Sequence, residues 1–311
     1  MINFFARDRE LDLALQGGGS FGAFTWGVLD RMLEEPSLTI GRISGTSAGA
    51  VNAVAYAAGY LDSGADGARQ KLRDIWQAVA LQGTAAQWLP NPFIASLTSM
   101  SSRPLSRNPL RNILESHIDF AALREQNEIQ LFIAATHIAT GRRRIFTNRE
   151  LTVDTILASA CLPTLFKAVE IDGNTYWDGG YSANPDLQSL FSATSARDIL
   201  IVLLNPLDEP AHPTSSLEIA EVINRITFNQ PFLQEMEHIR SQRKKDRTTR
   251  KHRFHLISAE QSTQDLAPGS KLNVSRKFIL HLHEIGYQEA TKWLKSSASD
   301  IGRKSTTDLF G

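Results

Sequence analysis

Leu38-Thr-Ile-Gly-Arg-Ile-Ser-Gly-Thr-Ser-Ala-Gly-Ala-Val-Asn-Ala-Val-Ala-Tyr-Ala-Ala58 changes character halfway along. Its first part, Leu38 to Ile43, is short, apolar and β-branched, the signature of a buried strand. Its last part, Ala50 to Ala58, is an unbroken alanine-rich run that predicts a helix stopping at Gly59. Between them Gly45-Thr46-Ser47-Ala48-Gly49 must reverse the chain within a few residues. Gly45 and Gly49, with Ala48 and Ala50 beside them, remove the Cβ clashes that such a turn creates, and Ser47 is left at its apex, where strained φ/ψ is expected. The helix that follows points free N–H groups and its positive dipole end at that serine, favouring negative charge there. The stretch therefore predicts a serine nucleophile on a strand–turn–helix elbow.

Upstream lies a second turn of the same kind. Leu11 to Gln16 predicts a strand and Ala23 to Leu33 has helical spacing, with Gly17-Gly18-Gly19-Ser20-Phe21-Gly22 between them. This loop also satisfies G-x-G-x-x-G, so a dinucleotide site is a rival reading. That reading requires an acidic residue at the end of the second strand to hold the ribose hydroxyls. Here the second strand ends in Ser44-Gly-Thr-Ser-Ala-Gly49, with no acid. The same backbone amides, aimed at a tetrahedral oxyanion, would stabilise acyl transfer.

A serine hydroxyl needs a base. The eight histidines, His117, His137, His212, His238, His252, His255, His281 and His283, all follow the elbow. None lies in a glycine-flanked loop built to present it. One carboxylate does stand out. Ile171-Asp-Gly-Asn-Thr-Tyr176 reads as a hairpin whose second strand ends at Asp178, and Gly179-Gly180 then lets the backbone pass close to another element.

Taken in order, Gly17-Gly18-Gly19-x-x-Gly22, Gly45-x-Ser47-x-Gly49 and Asp178-Gly179-Gly180 resemble the motifs of the patatin-like phospholipases. Ala158-Ser-Ala-Cys-Leu-Pro163-Thr-Leu-Phe166 resembles the A-x-x-x-P-x-x-F stretch before that family's aspartate. The resemblance spans about residues 11–205, and the remainder resembles the tails of bacterial members. It implies a three-layer α/β/α sandwich with a mostly parallel central sheet. It also implies an acyl hydrolase working through a Ser47–Asp178 dyad without a catalytic histidine. The implied oxyanion hole consists of the amides of Gly18, Gly19 and Ala48, with Gly17, Gly22, Gly45, Gly49, Gly179 and Gly180 shaping the turns. Lipid or other acyl esters are the implied substrates, with no cofactor, no metal and peripheral membrane contact. One position departs from the pattern: many members carry a basic residue where this chain has Phe21, which puts any preference for anionic head groups in question. Two other classes stay open. An acyltransferase would use the same elbow, but Thr46 stands where such enzymes usually place a histidine. A non-catalytic lipid-binding protein could keep the fold, but it would not need all three motifs intact.

Composition fits one α/β domain over 1–311, with the C-terminal 206–311 completing the fold. The 311 residues are 42% hydrophobic and 21% charged, which is ordinary for a globular protein, and a net charge of zero gives no pull toward nucleic acid. The single cysteine, Cys161, reads as a small core residue of a reducing compartment. The first ten residues are too short and too charged for a signal peptide, and no run reaches 18 apolar residues, so a cytoplasmic location is expected. Expected strands are Asp12–Gln16, Leu38–Ser44, Glu128–Thr136, Arg143–Thr147, Ala168–Ile171, Thr175–Trp177, Asp198–Asn205 and Phe254–Ser258. Helices are expected over Ala68–Ala80, Pro109–Ile118, Leu217–Gln230 and Arg276–Lys295. Near-continuous apolar strands such as Ile199-Leu-Ile-Val-Leu-Leu204 predict a sheet covered on both faces, with the site at its carboxyl edge. Two segments invite a further role: the aromatic, proline-broken 87–100 as a cap over the acyl pocket, and the basic Arg240–Arg253 as a helix end and loop able to meet anionic lipid.

Overall fold

The computed structural model describes residues 9–86, 108–191, 198–208, 212–245, 251–263, 266 and 270–310. Its strands are β1 (Arg9–Leu15), β2 (Leu38–Thr46), β3 (Gln130–His137), β4 (Arg143–Thr147), β5 (Val169–Ile171), β6 (Asn174–Asp178), β7 (Asp198–Leu203) and β8 (Arg253–Ser258). The helices are α1 (Gly22–Met32), α2 (Ala48–Ala86), α3 (Leu110–His117), α4 (Phe120–Glu125), α5 (Val153–Ser159), α6 (Gln188–Phe191), α7 (Ser216–Lys245), α8 (Glu260–Thr263) and α9 (Arg276–Ser297).

The strands form one sheet in the order β5-β6-β3-β2-β1-β7-β8, with β4 on β3. The pairs β2–β3, β1–β2, β1–β7 and β7–β8 are parallel, whereas β3–β4, β3–β6 and β5–β6 are antiparallel. The expected mostly parallel sheet is therefore present, with an antiparallel flank that carries the Asp178 hairpin.

Alternation along the strands builds three layers, because successive side chains leave a strand on opposite faces. Leu11, Leu13 and Leu15 of β1, with Leu200 and Val202 of β7, enter one core with α1, α2 and α9. Ala14 and Ile199, Ile201 and Leu203 enter the other, against Phe232, Met236 and Ile239 of α7 and Phe254 and Phe310. Both faces are thus apolar, which is why the β7 sequence shows no polar alternation.

Several boundaries differ from expectation. The elbow helix does not stop at Gly59. It runs on to a break at Ser63-Gly64, where Gly64 takes φ +61°. Gly59 instead makes room for the return: a Cβ there would lie 2.3 Å from the Gly67 carbonyl oxygen. Likewise α7 continues through Pro231 to Lys245, because Phe232, Met236 and Ile239 hold its second half in the core. Arg240–Lys245 is therefore helix and Arg253 opens β8, while 246–250 lies outside the described residues. Cys161 sits just past α5 rather than within a helix, buried, with its thiol on the Lys167 carbonyl. The proposed cap at 87–100 also lies outside the described residues. No helix among the described residues is long and apolar enough to cross a membrane.

Candidate active site

The two sequence-predicted site residues are separated by 130 positions, and β3 brings them together. On one edge of β3, β2 runs parallel and ends with Thr46 opposite Ala134. On the same edge β6 arrives antiparallel and ends with Asp178 opposite Ala135, while β4 occupies the other edge. Two strand ends thus meet head to head, one residue of β3 apart, a rise of about 3.3 Å. Ser47 follows one end and Asp178 closes the other. The chain leaves through Gly179, where a Cβ would stand 2.3 Å from the Ala134 carbonyl oxygen and 3.0 Å from the Thr46 methyl. Only glycine lets the two ends approach this closely.

Ser47 adopts φ +53°, the left-handed region that a non-glycine residue occupies only when its surroundings enforce it. Its N–H donates to the buried Ser159 hydroxyl of α5 at 2.9 Å, and its carbonyl accepts from the N–H groups of Ala50 and Val51, which starts α2. The Thr46 hydroxyl donates to the Ala183 carbonyl at 2.7 Å and ties the elbow to the loop after Asp178. Gly45 and Gly49 let the turn close on itself and on the end of β1: a Cβ on Gly49 would fall 2.2 Å from the Leu15 carbonyl oxygen.

The glycine loop crosses directly over the serine. A Cβ on Gly17 would meet the Ser47 Cβ at 2.8 Å, and one on Gly22 would meet the Ala48 Cβ at 2.6 Å. Gly17 spends its N–H on Asn184 Oδ1 at 2.7 Å. The N–H groups of Gly18, Gly19 and Ala48 have no acceptor among the described residues. Three donors, two from the loop and one from the start of α2, therefore remain beside Ser47. Phe21 points into the core, buried against Phe278.

Asp178 is fully buried. Burial pushes its carboxyl up to about 7, opposed by the Gly180 N–H on Oδ1 at 2.7 Å and by the Ser47 hydroxyl beside it. Oδ2 is buried without a hydrogen-bond partner, so the contact with Ser47 is not a closed hydrogen bond of full geometry. Such bonds often tighten only when substrate binds. The Asp178 backbone is fixed on both sides: its N–H donates to the Cys161 carbonyl and its carbonyl accepts from the Thr136 hydroxyl. A carboxylate with a raised pKa and no cationic partner is suited to accept a proton near neutral pH. Burial and the nearby Asp178 charge push the Cys161 thiol up to about 12, so it stays protonated and unreactive.

The histidines have other tasks. His255 is buried between Asp198 and Thr306, at 3.0 Å from each. Asp198 opens β7, so this pair lies at the amino edge of the sheet, roughly 17 Å of strand away from the carboxyl edge. His283 of α9 bonds Asp30 of α1 at 2.9 Å, a helix–helix contact that Arg69 also joins. Among the described residues no histidine hydrogen-bonds Ser47 or Asp178.

Four buried polar residues hold the site and were not singled out in the sequence. Asn184 accepts from Gly17 and donates to the Phe228 carbonyl of α7. Gln16 receives the N–H groups of Leu204 and Asn205 and donates to the Asn184 carbonyl, joining the ends of β1 and β7. Asn52 donates to the carbonyls of Gly22 and Ala48 and accepts from Trp76, clamping the starts of α1 and α2 together. Ser159 receives the Ser47 N–H. Asn52 was visible as the one polar residue in Ala50–Ala58, and Ser159 lay inside the Ala158–Phe166 stretch. Nothing local marked Gln16 or Asn184, whose partners are distant in the chain.

Comparison with known proteins agrees with this architecture. No curated protein matches the chain. Among solved structures it is similar to VipD from Legionella pneumophila, with 12% identity and a TM-score of 0.45, over 93% of this chain and 67% of that one. It is also similar to the type III effector ExoU, with 16% identity and a TM-score of 0.35, over 93% of this chain and 53% of that one. In the ExoU–SpcU complex of Pseudomonas aeruginosa the likeness covers 95% of this chain and 61% of the other, at 15% identity and a TM-score of 0.33. The chain thus spans between about half and two thirds of the length of these proteins. The profile of the patatin-like phospholipases matches residues 13–191, more than half of the chain and all three glycine-flanked motifs. The chain belongs to the patatin-like phospholipase family.

Proposed function

We propose that the protein hydrolyses acyl esters of lipids with Ser47 as nucleophile and Asp178 as general base. In the first half-reaction Ser47 Oγ attacks the ester carbonyl while Asp178 takes the hydroxyl proton. The oxyanion that forms is held by the N–H groups of Gly18, Gly19 and Ala48, donors already in place that cost no reorganisation during the reaction. Collapse breaks the ester bond, the leaving alcohol takes up the proton from Asp178, and the acyl group stays on Ser47. Water then attacks the acyl-enzyme, Asp178 accepts its proton, and the carboxylic acid is released as Ser47 recovers its hydrogen.

The observation that carries this reading is the head-to-head meeting of β2 and β6 on β3, which sets a strained serine beside a buried carboxylate with a raised pKa. Acyl transfer to an acceptor other than water gains no support at position 46. The Thr46 hydroxyl is buried and spent on the Ala183 carbonyl.

The test is covalent labelling by a fluorophosphonate together with hydrolysis of p-nitrophenyl esters. Wild-type protein should be labelled and active, and Ser47→Ala should lose both. Asp178→Asn should lose turnover by about 10³-fold or more, the scale seen when a triad member is removed from a serine hydrolase. Full turnover in Asp178→Asn would rule out the dyad.

A further inference from the structure

The side chains of the glycine loop, Gly17-Gly-Gly-Ser-Phe-Gly22, bear no charge, yet a cation stands at its rim. It comes from a short turn, Ser270–Leu272, far along the chain. The Ser20 hydroxyl donates to the Ser270 carbonyl at 3.0 Å. The Lys271 carbonyl lies so close to Gly19 that a Cβ there would be 2.5 Å away, and Gly19 takes φ +60° at this contact. From this seat the Lys271 side chain runs past Phe21. Its ammonium is 5.9 Å from the ring centroid and donates to Asn205 Oδ1. Asn205 is itself fixed, since its N–H bonds Gln16 at the end of β1.

These contacts place Lys271 relative to the serine. Gly17 touches Ser47 and Gly19 touches Lys271, and two residues of chain span at most about 7 Å. The ammonium is therefore held at the mouth of the donor loop, half-buried, on a seat made by a ring and a side-chain amide. An ester bound with its carbonyl oxygen on the Gly18 and Gly19 amides would carry its alcohol portion outward past this point. The phosphate of a glycerophospholipid lies only a few bonds from the ester carbonyl.

We propose that Lys271 is a specificity-determining residue that binds the phosphate of the head group, making glycerophospholipids the preferred substrate class. This rests on the acyl-hydrolase reading above and specifies its substrate. Phe21 contributes the apolar floor under the lysine stem and a ring face for its charge. Because the ammonium is half-buried, its attraction for a phosphate is screened less than that of a surface lysine.

The experiment compares kcat/KM for a lysophosphatidylglycerol and for a monoacylglycerol with the same acyl chain, in wild-type protein and in Lys271→Met and Lys271→Arg. Wild-type protein should prefer the phosphate-bearing substrate. Lys271→Met keeps the stem over Phe21 and removes the charge, so the preference should fall by about tenfold to a hundredfold, the worth of a charge-assisted contact. Lys271→Arg should restore most of it, and added salt should weaken it in wild-type more than in Lys271→Met. A parallel loss on both substrates in Lys271→Met would make Lys271 a structural latch and overturn the proposal. An unchanged preference would overturn it too. Competition by inorganic phosphate that depends on Lys271, without any preference between the two substrates, would assign the lysine to free anions and not to a head group. Wild-type protein inactive on both substrates would bring down the acyl-hydrolase reading itself, a result distinct from activity whose selectivity ignores residue 271.

Discussion

Asp178→Asn should make the protein more stable while it abolishes turnover, and the size of the gain should depend on pH. Burial raises the Asp178 carboxyl from an ordinary 3.8 to about 7. The folded protein therefore binds a proton that the unfolded chain has released. The associated stability is present below pH about 4, falls as pH rises through about 7, and stays lost above that. A shift of about three units at about 1.4 kcal/mol each gives a penalty of about 4 kcal/mol at pH 8. Asparagine removes this penalty and keeps an oxygen for the Gly180 N–H, but its amide brings a donor into a site where Oδ2 has no partner. An unsatisfied donor costs about 1–3 kcal/mol, so the net gain at pH 8 is about 2 kcal/mol. For a chain of this size that is a rise in Tm of roughly 4–8 °C. At pH 5 the wild-type penalty has shrunk by more than half and the advantage should vanish. The assay is thermal unfolding of both proteins from pH 5 to 8.5, with ester hydrolysis followed in parallel. A variant less stable than wild-type at pH 8, or a difference in Tm that does not change with pH, would refute the claim that a buried, reluctant charge sits at position 178. The wild-type pH–rate profile should rise with a midpoint near 7 for the same reason.

Other substitutions probe the scaffold around the pair. Gly17→Ala would drive a Cβ to within 2.8 Å of both the Ser47 Cβ and the Thr46 carbonyl oxygen, and the loop must move to accept it. A displacement near 1 Å should cost about 10²-fold in kcat with circular dichroism unchanged. Asn184→Ala strands the buried Gly17 N–H and the Phe228 carbonyl. Urea unfolding should show a loss of about 2–4 kcal/mol, at 1–3 kcal/mol for each orphaned group, together with reduced turnover. Asp198 acts in the opposite sense to Asp178. Burial alone would raise it, yet hydrogen bonds from His255, Arg253 and the Gly302 N–H outweigh burial and hold it at about 2. Its contribution is present above pH about 4 and lost as pH falls through about 2. Asp198→Asn should therefore remove about 2 kcal/mol at pH 7 and flatten the acid limb of the unfolding curve, while fluorophosphonate labelling of Ser47 survives.

The parts of the structure legible in the sequence are those written in local signals. The elbow, the glycine loop and the Asp178 hairpin each declare themselves within ten residues, because tight turns need glycine at particular places. The apolar run of β7 announced a strand covered on both faces. Helix ends were less legible. Gly59 looks like a stop, yet tertiary contact with Gly67 overrides it, and Pro231 looks like a break that core packing of Phe232 and Met236 carries the helix across. Contacts of high sequence separation were silent: Gln16 with Asn184, Ser47 with Ser159, and Lys271 with Gly19. Phe21 shows the same limit. Its departure from the family pattern was plain, but its neighbour Lys271 comes from 250 residues away.

The shared edge of β3 also acts as a ruler. The spacing between nucleophile and base is metered by one residue step of a single strand, not by the lengths of the loops that deliver either group. The 138–142 turn, the Asp172-Gly173 turn and the connection from α2 to β3 could each lengthen or shorten without changing that step. A single-residue insertion within β3, between the pairing positions Ala134 and Ala135, would move base away from nucleophile even though both motifs remained letter-perfect. The chemistry of Ser47 and Asp178 therefore depends on a strand that contributes no reacting atom to it.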